Sequence, residues 1–151
     1  MKLSQIVKIA FKEAYKAFKK NEVPVGAVVF NDKNIISKAH NLVIKKKDPL
    51  AHAEILAIRK AVNKLNTVNL NRYKLYVTLE PCLFCSYAIS KYYINSIYFG
   101  LYNNNNLGIK NAGKVLNVNL NGFKPNIYGG FGEEEISHLM KRFFNTIRKK
   151  N

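Results

Sequence analysis

The sequence predicts one α/β domain, residues 1–151, with a mixed sheet between layers of helix. Three observations carry this. Apolar spacing alternates between a helical i, i+3, i+4 period and β-rich runs, in the order α-β-β-α-β-α-β-loop-β-α. The length of 151 residues is close to the common domain size and buries most of the unfolded surface. Hydrophobic residues reach 48% with only four prolines, which excludes a disordered chain.

Residues 2–20 set Leu3, Ile6, Val7, Ala10, Ala14, Ala17 and Phe18 at helical spacing, with Lys8, Lys12, Lys16 and Lys19 on the opposite row. That row reads as a solvated face first and an RNA contact second. Residues 23–30 then form an apolar strand, Asn31 to Asn34 turn the chain, and Ile35 to His40 return as the second strand of a hairpin. Pro24 is tolerated at a strand start, and Gly26 inside the strand marks either a bulge or room for a ligand.

Asn41 to Lys47 reads as a polar loop. Asp48-Pro49 then reads as a helix start, with Asp as N-cap and Pro at the first helical position, for a helix reaching about Leu65. Residues 73–79 read as a central strand. Glu80-Pro81 repeats the passage into helix and places Cys82 and Cys85 in the next first turn. Asn95 to Gly100 is a further strand, and Asn103 to Asn106 open a polar connection through Gly108 and Gly113. Asn126 to Gly129 is a last short strand. A helix from Gly132 closes the chain, with Glu133, Glu134 and Glu135 at its start and Arg148, Lys149 and Lys150 at its end, matching the helix dipole. The sequence shows no internal repeat and no linker.

Two cysteines without a secretory pattern suit a reducing cytoplasm, and no apolar run approaches the roughly 18 residues of a membrane span. The net charge of +16 suits a polyanionic partner. Lys far outnumbers Arg, and Asn and Ile are abundant, so an AT-rich coding sequence accounts for the larger part of it.

The chemistry concentrates in Ala51-His52-Ala53-Glu54 and, thirty positions on, Pro81-Cys82-Leu83-Phe84-Cys85. His52, Cys82 and Cys85 are three good zinc ligands, with Glu54 left over. Structural zinc sites close with four protein ligands, whereas catalytic ones keep a position open for water. A spacing of three puts both sulfurs on one helix face, and a helix N-terminus favours thiolate, the ligand form. A redox reading leaves His52 and Glu54 idle. A structural zinc site needs His40 or His138 as fourth ligand and leaves Glu54 without a role. Zinc catalysis uses all four groups: the ion lowers the pKa of water from 15.7 toward about 7. Glu54 is then the proton carrier, a role typically worth roughly 10²–10⁴ in rate.

His-x-Glu followed by Pro-Cys-x-x-Cys resembles the signature of the zinc-dependent nucleobase deaminases. Glu22-Val-Pro-Val-Gly-Ala27, Asn41, Asp48-Pro49, Thr78-Leu-Glu-Pro-Cys82 and Phe143-Phe144 with Arg148 extend the likeness to the tRNA-specific adenosine deaminases over most of the chain. The resemblance implies a three-layer α/β/α, cytidine-deaminase-like fold with about five strands. It implies one Zn²⁺ per subunit, a cytoplasmic homodimer, and hydrolysis of the wobble adenosine of a tRNA anticodon to inosine, with the arginine tRNA of anticodon ACG as substrate. It also implies that Asn41 bonds the flipped base, that Val25 and Leu79 wall the pocket, and that Phe144 and Arg148 hold the anticodon. From the residues alone, Asn41 is equally a turn residue, Val25 and Leu79 core, and Arg148 a solvated helix end. Glu80 reads as a capping or supporting residue. Asn103 stands where the family usually has an aspartate near the ribose, so a 2′-hydroxyl meets an amide without negative charge. A free-base or nucleoside deaminase of guanine or cytosine type is the competing expectation.

Overall fold

A computed structural model describes residues 1–104, 108–109 and 124–151. Among these, the elements run α1 (Leu3–Lys19), β1 (Gly26–Phe30), β2 (Ile35–His40), α2 (Val43–Lys46), α3 (Ala53–Leu65), β3 (Lys74–Leu79), α4 (Leu83–Lys91), β4 (Ser96–Leu101), β5 (Asn126–Tyr128) and α5 (Glu133–Lys150). Asn105, Asn106 and Gly113 of the expected polar connection lie outside the described residues.

Five strands make one sheet in the order β2-β1-β3-β4-β5. β1 is antiparallel to β2 and β3, whereas β3, β4 and β5 are parallel, so the sheet is mixed as expected. Local chemistry explains the split. A four-residue turn joins β1 to β2 as a hairpin, while β3 reaches β4 through α4, the crossover that parallel strands require.

All five residues of β1 are buried, and alternate side chains leave by opposite faces. Ala27 and Val29 join Ala57, Ile58 and Ala61 of α3 and Ile89 of α4 in the larger core. Val28 and Phe30 join Ile6 and Ala10 of α1 and Tyr76 of β3 in the smaller one. Helix α5 packs beside α1, with the Phe143 ring edge-on to Phe18 at 6.5 Å and the Arg142 guanidinium 5.0 Å from the Phe18 centroid. The result is helix, sheet, helix.

Three expectations need correction. Asn41 to Lys47 is not all loop: Val43–Lys46 is the short helix α2. Its start is capped from a distance, because the buried Glu22 carboxylate accepts from the N–H groups of Ile44 (3.2 Å) and Lys45 (2.8 Å). Asp48-Pro49 does not start α3. Asp48 Oδ1 accepts from Leu50 N at 2.9 Å and its carbonyl from Ala51 N at 3.1 Å, which closes a separate turn. His52 is the residue that caps α3. Gly26 is the first residue of β1 and serves neither a bulge nor a ligand. A Cβ there would overlap the carbonyl oxygen of Ala10 and lie 2.7 Å from Ala14 N, so the glycine lets α1 settle onto the sheet. The register shift of β1 falls between Val29 and Phe30.

Candidate active site

The end of β2, the start of β1 and the end of β3 share one sheet edge. Gly26 pairs with His40, Ala27 pairs with Val77, and Gly26 N donates to Thr78 Oγ1 at 3.1 Å. The chain leaving β2 there passes through α2 into α3, and the chain leaving β3 turns into α4, so the N-termini of α3 and α4 converge there. His52 is the N-cap of α3 and Cys82 the N-cap of α4, both with extended backbones (ψ 151° and 172°). Cys85 follows one turn into α4 and is buried.

This brings the three expected ligands together across thirty residues of sequence. His52 Nδ1 is 3.3 Å from Cys85 Sγ and 3.7 Å from Cys82 Sγ, and the three donor atoms lie within 4.8 Å of one another. A tetrahedral zinc with Zn–S of about 2.3 Å and Zn–N of about 2.0 Å requires N···S edges of about 3.5 Å and S···S edges of about 3.8 Å. The donors therefore already span the space of one zinc ion, and their chemistry fits it. Neither alternative fourth ligand is present. His40 bonds Glu13 and Lys20, and His138 lines a groove between the first turns of α1 and α5. That groove is larger, at ≈990 Å³, but none of the three ligands lines it.

Without the ion, the two thiols share their charge unevenly. The Cys82 thiol is pulled down to about 4, first by its hydrogen bond with Cys85, against burial, and then by His52. The Cys85 thiol is pushed up by the same bond and by burial. His52 is raised, chiefly by its contact with Cys82. Burial pushes the Glu54 carboxyl up to about 7. A carboxyl with that value near neutral pH both accepts and returns protons readily.

Glu54 faces a cavity of ≈190 Å³, below the roughly 300–1,000 Å³ of sites for drug-sized ligands. Val23, Val25 and Leu79 give it apolar walls, and Asn41, Glu80 and Asn103 join Glu54 as polar lining beside His52 and Cys82. The Asn41 side-chain oxygen accepts from Ala53 N at 2.8 Å, which leaves its Nδ2 amide donors and a second lone pair on Oδ1. Asn103 N donates to Glu80 Oε2 at 3.4 Å, and Gly108 packs against the same carboxylate too closely for any side chain.

The structure thus gathers Val25, Asn41, Leu79 and Asn103 around the ligands and Glu54. Phe144 and Arg148 are exposed on α5 and do not line the cavity. Sequence reasoning missed Val23 as a wall, Glu80 as part of the lining, and Phe84, whose ring meets His52 edge-on at 6.4 Å. Phe84 lies inside Pro81–Cys85, and Val23 and Glu80 lie in the stretches Glu22–Ala27 and Thr78–Cys82, which was the one signal for them.

Residues 1–101 match the model of the cytidine and deoxycytidylate deaminase zinc-binding region. The tRNA-specific adenosine deaminase of Aquifex aeolicus (strain VF5) is 42% identical over 142 residues, covering 94% of this chain and 93% of that protein. That of Bacillus subtilis (strain 168) is 36% identical, covering 95% and 89%. A solved structure from biochemical and structural studies of A-to-I editing by tRNA:A34 deaminases aligns with a TM-score of 0.84 at 32% identity, covering 90% of this chain and 99% of that one. A guanine deaminase from Nitrosomonas europaea, at 18% identity and a TM-score of 0.78, shares the fold. With the ligands, the acid and the pocket in place, the chain belongs to the cytidine and deoxycytidylate deaminase zinc-binding family and, within it, to the tRNA-specific adenosine deaminases.

Proposed function

We propose that the protein hydrolyses the wobble adenosine of a tRNA anticodon to inosine and ammonia. The observation that carries this is Glu54, buried beside the His52, Cys82 and Cys85 donors and lining a cavity of ≈190 Å³. The full-length likeness to tRNA-specific adenosine deaminases supports the choice of base and of RNA.

His52, Cys82 and Cys85 would hold the zinc, which when bound would supply a Lewis acid that makes water nucleophilic at neutral pH. The carboxylate of Glu54 takes the proton of the attacking water and delivers it to the ring nitrogen beside the attacked carbon. Glu54 then carries the second proton to the departing amine, which leaves as ammonia. Val25 and Leu79 confine the flat ring, and the Asn41 amide donates to an acceptor on it. Burial keeps bulk water from competing for the Glu54 proton. An anticodon loop base is unpaired already, which lowers the cost of drawing it into the pocket.

The finer features of this reading are the arginine tRNA of anticodon ACG, a homodimer, a cytoplasmic setting, and Phe144 and Arg148 as contacts to the anticodon. No helix among the described residues is long and apolar enough to cross a membrane. Mass spectrometry of nucleosides from a treated ACG stem-loop tests the activity. One inosine per loop is expected, and none from the Glu54→Gln protein with its zinc retained.

A further inference from the structure

Residues on either side of Asn41 face a different cavity from the one Asn41 lines. His40 and Leu42 border a space of ≈390 Å³ together with Lys46 of α2 and Arg59, Lys60 and Asn63 of α3. No carboxylate is among the lining residues. The Glu13 carboxylate binds His40 Nδ1 at 2.8 Å from the α1 side, while His40 Nε2 meets Lys20 Nζ at 3.0 Å. His40 is therefore already committed. Lys46, Arg59 and Lys60 are all exposed and supply the positive charge. Lys60 Nζ donates one hydrogen bond to the carbonyl of Lys38 at 3.2 Å, and an ammonium has two more to give.

We propose that this groove is a second RNA subsite, which takes phosphodiester backbone a few nucleotides from the base being deaminated. The inference rests on the tRNA reading above and extends it to residues outside the catalytic pocket. Two independent features support it beyond charge. The first is spacing. Arg59 and Lys60 lie seven and eight residues beyond His52, roughly 10–12 Å along the helix axis at 1.5 Å per residue. That distance is the scale of a few nucleotides of backbone, so one strand can reach both sites. The second is how Lys46 is held. Its short helix is tied down by the buried Glu22, through Ile44 N and Lys45 N, and by Leu42 N to the Ala51 carbonyl at 3.1 Å. Glu22 is thus a positioning residue for the backbone that carries Lys46, and a wall already in place costs less to order on binding. Charge complementarity selects RNA over a second copy of this strongly basic chain.

The test uses zinc-loaded protein carrying Glu54→Gln, so that RNA is bound without turnover. Binding of an anticodon stem-loop RNA is followed between 50 and 200 mM salt, where each phosphate contact contributes about 0.7–0.9 to the slope of log K against log salt. The combined Lys46→Ser, Arg59→Ser and Lys60→Ser changes should lower that slope by about 2. Lys46→Ser alone, on a short exposed helix, should lower it by a single contact. Removing three charges elsewhere, Lys8→Ser with Lys12→Ser and Lys19→Ser, should leave the slope unchanged. A groove variant with the parent slope overturns the proposal, as does an equal fall in the control. A changed mass of the assembly in solution at unchanged slope overturns it too and gives the groove to a second copy. RNA bound with the parent slope but not deaminated by the Glu54 protein contradicts the catalytic reading and leaves this one standing.

Discussion

The side-chain oxygen of Asn41 accepts a 2.8 Å hydrogen bond from the backbone N–H of Ala53, the first residue of α3. One side chain therefore both satisfies the helix that presents His52 and Glu54 and lines the pocket they face. The two roles separate by mutation. Asn41→Ala removes both and should cost about 0.5–2 kcal/mol of stability along with activity. Asn41→Asp keeps an oxygen for Ala53 but loses the amide donor, so its melting temperature should stay near that of the parent while inosine formation collapses. Thermal denaturation and single-turnover rates on the same preparations distinguish them.

Much of this was legible in the sequence because it is local. The period of α1, the hairpin of β1 and β2, and the strand-to-helix passage before Cys82 each lie within a few residues of their cause. What was hidden depends on distant partners. α2 owes its first turn to Glu22, more than twenty residues earlier, so Asn41 to Lys47 carries no cap of its own to read. Asp48-Pro49 has the chemistry of a helix start, but the Asp48 carboxylate is used on Leu50 N, and the cap passes to His52. Gly26 is explained by the backbone of α1, which no motif around Gly26 encodes. The metal ligands were legible for the opposite reason: His-x-Glu and Pro-Cys-x-x-Cys each read from adjacent residues, and zinc geometry requires that they meet.

Gly26→Ala should destabilise the fold by at least the 1–3 kcal/mol typical of overpacking, because the new methyl group meets the main chain of α1 and not a movable side chain. Urea denaturation measures this directly. Zinc content of the folded fraction should be unaltered, since the glycine borders the helix rather than the pocket. Lost zinc with unchanged stability would return Gly26 to the ligand side.

Glu13 gives the fold a pH dependence. Burial pushes its carboxyl up, but hydrogen bonds from Lys16 (2.7 Å) and His40 (2.8 Å) outweigh burial and hold it below its ordinary 4.5. A carboxylate with a lowered folded value stabilises above the unfolded value and loses that contribution as pH falls through the folded one. The stability gap between the parent and Glu13→Gln should therefore be full at neutral pH and shrink as pH drops below 4.5. Metal-free samples of both proteins, unfolded in urea across that range, check the sign.

Removing the ion should liberate two thiols, because Cys82 and Cys85 are free and not joined to each other. Elemental analysis should find one zinc per chain in the parent and little in Cys85→Ala. Thiol titration before and after chelation should rise from near zero to two. Two reactive thiols in the zinc-loaded protein would remove the cysteines from the ligand set.

The most direct measurement places an ACG anticodon stem-loop RNA, free guanine and free cytosine in parallel with zinc-loaded protein. Ammonia release and nucleoside analysis then follow each substrate. The account predicts inosine at the wobble position of the RNA, no turnover of the free bases, and loss of roughly 10²–10⁴ in rate with Glu54→Gln. Turnover of guanine or cytosine with no inosine in the RNA would contradict it.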